Sequence, residues 1–187
     1  MSINADKIFQ FKITLQHIEP VIWRRVQVPA NLSFGDLHWV IQEVMGWENS
    51  HLHEFEVLIP GETQKTYIGI PDEEWEQRVL EEEDVPLVDY FSPQLQRIKY
   101  IYDFGDNWEH EILLEDILEP DPAVEYPLCL DGERACPPED CGGPFGYLRI
   151  LEAFKNPSAA ENKTIIAWLD REYDPDAFSI KERLILT

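Results

Sequence analysis

His51 and His53 are one residue apart, a spacing that on a β-strand turns two imidazoles to the same face, and His110 has the matching parity in a later segment. Two nitrogen donors from one strand and a third from a neighbour would make a facial set for a divalent metal such as zinc. Each ring also has a use that needs no metal, as a half-buried imidazole bonded to a carboxylate or carbonyl. Three cysteines, Cys129, Cys136 and Cys141, follow with six and four residues between them. With one histidine they would close a four-coordinate zinc site, although the paired Cys-x2-Cys of zinc knuckles is missing; buried inert thiols, or one reactive thiol, are the other readings.

Two further stretches carry polar residues on turns. Asp103-Phe104-Gly105 shares its letters with a kinase metal-binding triplet, but no Gly-rich phosphate loop or His-Arg-Asp segment precedes it. A hairpin turn in Phe104-Gly105-Asp106-Asn107 fits better, with Gly and Asn taking positive φ and Asp103 and Asp106 accepting backbone bonds, and with Trp108 beside them. Glu139-Asp140-Cys141-Gly142-Gly143 leads into a helix bearing Tyr147. Gly142 and Gly143 would offer backbone N–H groups to an anion there, whereas Glu139 and Asp140 would repel one and are placed to cap the helix. Asp103, Asp106, Trp108, Glu139, Asp140, Gly142, Gly143 and Tyr147 are therefore the candidate ligand-binding residues, and His51, His53, His110 and the three cysteines the candidate metal ligands.

The elements that must hold these groups read as an α+β chain. Alternation from Lys7 to Ile18 and the β-rich run Val21 to Val28, split by Glu19-Pro20, predict a hairpin. Ser33 and Asp36 form a capping box for a helix whose face is Leu37, Val40, Ile41, Val44 and Met45, up to Gly46. Strands over His51 to Ile59 and Lys65 to Ile70 follow, giving a β-β-α-β opening like that of a ubiquitin roll. The acidic segment Asp72 to Asp89 reads as a solvated helix or loop, and Arg97 to Tyr102 with Trp108 to Leu114 as the clearest hairpin. Pro120 to Pro144 reads as an irregular loop, followed by helices over Gly146 to Phe154 and Ala159 to Leu169. The expected fold class is one roll-like domain spanning 1–187, with a mixed or antiparallel sheet over 1–119 and a Cys/Gly/Pro-rich loop plus C-terminal helical appendage over 120–187. His17 and His38 are assigned structural roles.

Charge narrows the function. Fifteen Lys and Arg face 37 Asp and Glu, for a formal net charge of −22 over 187 residues. Such a chain repels phosphate backbones and anionic membranes, while 44% hydrophobic and 12% aromatic residues are those of a folding chain. A nucleic-acid partner would require a basic patch, for which Arg24 and Arg25 are the only adjacent candidates. No signal-like leader or membrane-length apolar run is visible, and an odd cysteine count speaks against a secreted disulfide framework, so a cytoplasmic protein is expected.

Taken together, Gly46-Trp47 with His51-Leu52-His53, Tyr100 to His110 containing Asp103-Phe104-Gly105-Asp106-Asn107-Trp108, Cys136-Pro137-Pro138-Glu139-Asp140-Cys141-Gly142-Gly143 with Gly146-Tyr147, and the tail Asp174-Pro175-Asp176-Ala177-Phe178 resemble one family. It is the family named after the third open reading frame of a root-inducing plasmid, some members of which are labelled insertion-sequence passenger proteins. The resemblance implies a single α+β roll-like domain and no defined activity. A resolvase-like label borne by some members finds no support in the residues, since neither a nucleophilic Ser among arginines nor a basic DNA-binding segment is present. The expectation is a non-catalytic module that binds a protein or small-molecule ligand in a pocket lined by these motifs. The alternatives are a metal-dependent hydrolase or other metalloprotein, with Asp103 or Asp106 as further ligand or general base, and a nucleic-acid-associated mobile-element protein.

Overall fold

A computed structural model describes residues 5–71, 79–169 and 173–180. Alternation in β1 (Ile8–Leu15) buries Phe9, Phe11, Ile13 and Leu15 on one face, and β1 pairs antiparallel with β2 (Trp23–Pro29), Phe11 opposite Val26. Helix α1 (Phe34–Met45) starts where expected: Asp36 N–H donates to Ser33 Oγ at 3.0 Å and Ser33 N–H to Asp36 Oδ2 at 2.9 Å. It stops at Gly46, whose φ of 85° reverses the chain. Leu37, Val40, Ile41 and Val44 of α1 join the same buried cluster as the inward side chains of β1 and β2.

The remaining strands extend one sheet. β3 (His53–Val57), β4 (Thr66–Gly69), β5 (Val79–Glu81), β6 (Arg97–Tyr102), β7 (Trp108–Leu118) and β8 (Leu128–Glu133) give the order β5-β4-β3-β6-β7-β1-β2-β8. Among the described strands only β4 and β5 run parallel, so the sheet is mixed, and with helices α2 (Gly143–Lys155) and α3 (Ala160–Trp168) the fold is α+β. Phe34 stands edge-on to Phe55 with centroids 5.0 Å apart, and Phe11 meets Phe91 at 4.5 Å, tying α1 to β3 and β1 to the segment before β6. No helix among the described residues is long and apolar enough to cross a membrane.

Three sequence readings change. The acidic segment is not wholly solvated: Asp72 to Arg78 lies outside the described residues, but Val79–Glu81 adds a strand and Glu82 is buried. The run of acids hides the two β-forming residues Val79 and Leu80 from any period-based reading. Pro120 to Pro144 is not all loop, because Leu128-Cys129-Leu130 alternates and pairs with β2 as β8. In the β6–β7 turn, positive φ falls on Asp103 (56°) and Asn107 (55°), not on Gly105. Asp103 tolerates that conformation because its own Oδ1 accepts from Gly105 N–H at 2.8 Å and Asp106 N–H at 3.3 Å.

Candidate functional site

Strand register brings remote segments together. His53 lies opposite Tyr102, and Tyr102 opposite Trp108, so the loop before β3 and the β6–β7 turn share one end of the sheet. The loop before α2 closes over them. Gly142 N–H donates to Asp106 Oδ2 at 3.0 Å, so the anion received at this helix start is the chain's own carboxylate. Gly143, at φ 66°, passes so close that a Cβ there would lie 2.4 Å from the Asp106 carbonyl oxygen. Gly142 itself is the N-cap and makes no side-chain cap bond, which corrects the capping role expected of Glu139 and Asp140.

Those two carboxylates reach across to other loops instead. Glu139 Oε1 accepts from Tyr102 Oη at 2.7 Å and from Glu48 N–H at 2.9 Å, while Tyr102 Oη accepts from Ser50 N–H at 2.9 Å. Burial and the contact with Glu139 push the Tyr102 phenol well up, so it stays a donor. Asp140 Oδ1 lies 3.1 Å from His51 Nε2, and Asp103 Oδ2 lies 3.7 Å from the same nitrogen. Trp47 Nε1 donates to the Pro137 carbonyl at 3.0 Å and its ring stacks on Tyr102 at 4.9 Å. Trp108 and Tyr147 are each 1% exposed and sit in the core behind this cluster.

The three proposed histidine ligands separate. His51 precedes β3 and faces Asp103 and Asp140; among the described residues these three form the only group of His, Cys, Asp and Glu with metal-ligand spacing. His53 stacks flat on His38, centroids 3.4 Å apart, with its Nε2 2.7 Å from Glu82. His110 is completely buried between Trp47 and Tyr100, and neither ring nitrogen makes a well-formed hydrogen bond. Desolvation holds its pKa down to about 4, against the pull of the Trp108 and Tyr100 backbones. Strand parity alone predicted a shared face; the actual start of β3 at His53 leaves His51 in the loop.

The cysteines do not assemble into a ligand trio either. Cys129 and Cys136 are buried and Cys141 partly so, and burial raises all three thiols, Cys141 to about 12. They are protonated at neutral pH and poor nucleophiles. His38 is held neutral, its pKa brought down to about 3 first by burial and then by His53. Its Nε2 must donate to Asn49 Oδ1 (2.9 Å), which leaves Nδ1 to accept from Tyr100 Oη (2.8 Å). Asn49 N–H in turn donates to Gln42 Oε1, so the left-handed Asn49 that turns the chain toward His51 is fixed from α1.

Arg24 and Arg25 form no basic patch. Arg24 is 3% exposed and donates to the carbonyls of Val44, Trp23, Glu133 and Arg134, and Arg25 pairs through two bonds with Glu115. Beside Arg24 opens a cavity of about 590 Å³ between the end of α1, residues 135–139 and the C-terminal segment. Trp47, Glu139, Trp168, Tyr173, Asp174 and Phe178 line it. The last four lie far along the chain from the polar motifs, and no periodicity marks them as neighbours of Trp47.

The profile of the plasmid pRiA4b ORF-3-like protein family matches residues 7–182. The chain is similar to an uncharacterized protein, y4hQ, of Sinorhizobium fredii (strain NBRC 101917 / NGR234), at 37% identity over 177 residues covering 94% of this chain and 88% of that protein. It is also similar to a crystal structure of a protein of unknown function, MM3350, from Methanosarcina mazei Go1, with 41% identity and a TM-score of 0.87, covering 94% of this chain and 97% of that one.

Proposed function

The chain belongs to the plasmid pRiA4b ORF-3-like family, and from that premise we propose that it is a cytoplasmic, non-catalytic binding module for a small organic cation. One observation carries the reading: the cavity of about 590 Å³ whose walls combine aromatic rings with carboxylates. That volume suits a small-molecule pocket. Arg24, the cation in its wall, is spent on four backbone carbonyls and lies 4.5 Å over the Phe178 ring, while Glu43, Glu139 and Asp174 supply negative charge. Trp47, Trp168 and Tyr173 are the aromatic residues of the lining, and aromatic rings are what a positive organic group packs against. The chain's overall charge of −22 favours the same ligand sign and disfavours nucleic acid. The non-catalytic reading rests on the raised thiols and on two histidines, His38 and His110, that are held neutral out of reach of solvent.

Calorimetric titration with benzyltrimethylammonium and, in parallel, with the anion 3-phenylpropanoate tests it. Saturable one-to-one binding of the cation alone, weakened in Trp168→Ala, is the expected result; Trp168 is 55% exposed and its loss spares the core. Equal uptake of the two probes, no uptake of the cation, or full binding by the variant would overturn the proposal.

A further inference from the structure

His51, Asp103 and Asp140 have a geometry that their hydrogen bonding does not use up. We propose that His51 Nε2, Asp103 and Asp140 form a binding site for one divalent first-row transition cation, separate from the organic-cation cavity and independent of that reading.

The three candidate donor atoms all lie within 4.8 Å of one another, with His51 Nε2 3.1 Å from Asp140 Oδ1 and 3.7 Å from Asp103 Oδ2. A cation about 2.0–2.2 Å from each donor places neighbouring donors about 3–3.6 Å apart, so the set needs only a small adjustment to close on a metal. Without one, His51 Nε2 is shielded from solvent yet makes no well-formed hydrogen bond, despite two carboxylates beside it. A buried imidazole nitrogen in that state costs free energy which a coordinated cation would recover.

The Asp103 carboxylate is held so that its metal-facing atom is left free, and the backbone beside the other two donors is tied down. Asp103 is 8% exposed, and its Oδ1 takes the two turn amides, leaving Oδ2 toward His51. Asp103 N–H donates to the Leu52 carbonyl, locking the turn to the residue after His51. Asp140 stands two residues before Gly142, which the Asp106 carboxylate pins. One imidazole and two carboxylates suit Mn²⁺ or Zn²⁺ better than the all-oxygen cages of Ca²⁺. Asp140 has a 72% exposed side chain, so the remaining coordination positions face solvent and would be filled by water or an outside ligand.

The test uses the untagged full chain, freed of metal by chelator and titrated with Mn²⁺ at physiological salt, free Mn²⁺ being read by electron paramagnetic resonance. Mn²⁺ avoids competition from the three thiols. One equivalent per chain is expected, displaced by Zn²⁺ but not by equimolar Ca²⁺. His51→Ala and Asp140→Asn should each weaken the site by at least about tenfold, the lower end of what even indirect partners of a metal contribute. Asn keeps the left-handed backbone that Asp140 adopts at φ 56°, so Asp140→Asn should leave the metal-free circular dichroism and thermal midpoint unchanged. Uptake well under one equivalent, weak uptake at many sites that ignores both substitutions, or displacement by Ca²⁺ as readily as by Zn²⁺ would overturn the proposal.

Discussion

His110→Leu should remove about half of the acid sensitivity carried by the two neutral buried histidines, His110 and His38. His110 is completely buried, its folded pKa is about 4 against an ordinary 6.5, and neither nitrogen makes a well-formed hydrogen bond. As pH falls through 6.5 the unfolded chain takes up this proton and the folded chain does not, so stability present above 6.5 is lost on acidification until about pH 4. At about 1.4 kcal/mol per unit of pH, the loss from pH 7.5 to 5 is about 2 kcal/mol for His110. His38, with a folded value of about 3, contributes another ~2 kcal/mol over the same interval. The groups facing His110 do not titrate there: Trp47 is neutral, the Tyr100 phenol is pushed up by burial, and Glu109 and Glu111 flank it on the opposite face of β7. Glu54 and Glu83, whose pKa values are raised, gain stability on acidification, but equally in both proteins. Urea unfolding of wild type and His110→Leu at pH 7.5 and 5 isolates the difference. The variant should lose about 2 kcal/mol less on acidification and be no less stable at pH 7.5, since an apolar side chain replaces two buried nitrogens without a well-formed hydrogen bond. Equal acid losses in the two proteins would refute the argument.

Gly143→Ala should cost about 2–3 kcal/mol, because the new Cβ combines a left-handed backbone with a hard contact to the Asp106 carbonyl; an unchanged thermal midpoint would show that the two loops are not locked there. Alkylation of Cys141 by iodoacetamide at pH 8 should run roughly a thousandfold slower in the folded protein than in urea, following a thiol raised to about 12. Mass spectrometry of timed samples reads the rate, and folded labelling as fast as unfolded would contradict the assignment of an inert thiol.

Much of the sheet was visible in the sequence because its strands announce themselves by alternation. The β1–β2 and β6–β7 hairpins and the Ser33–Asp36 capping box all follow from local pattern. Glu82 was not legible: eight other acids from Asp72 to Asp89 suggest solvent, and only the tertiary placement of β5 beside β4 brings it under His53. The polar motifs were identified as separate stretches, yet their connections depend on register. Whether His51 belonged with His53 or with Asp103 was decided by where β3 begins, two residues that no propensity resolves. His38 was placed as a structural residue, and the structure adds what its rings and amides hold in place, the turn at Asn49. The cavity wall was the least accessible feature, since Trp168, Tyr173 and Phe178 reach Trp47 across more than a hundred residues.

An open sheet also has two edges, here β5 and β8 among the described residues, and an edge strand is a template for another chain. Here β5 has three residues among those described, which offer little to pair with. At the other edge β8 is kinked by a register shift against β2, carries Asp131 and Glu133, and has Phe178 lying against Gly132 while Ala135 N–H donates to the Pro175 carbonyl. The C-terminal segment that completes the cavity thus doubles as a guard for the sheet. Shortening the chain before Pro175 would expose a strand and strip Phe178 from the cavity wall at once, coupling a widened cavity to edge-to-edge self-association.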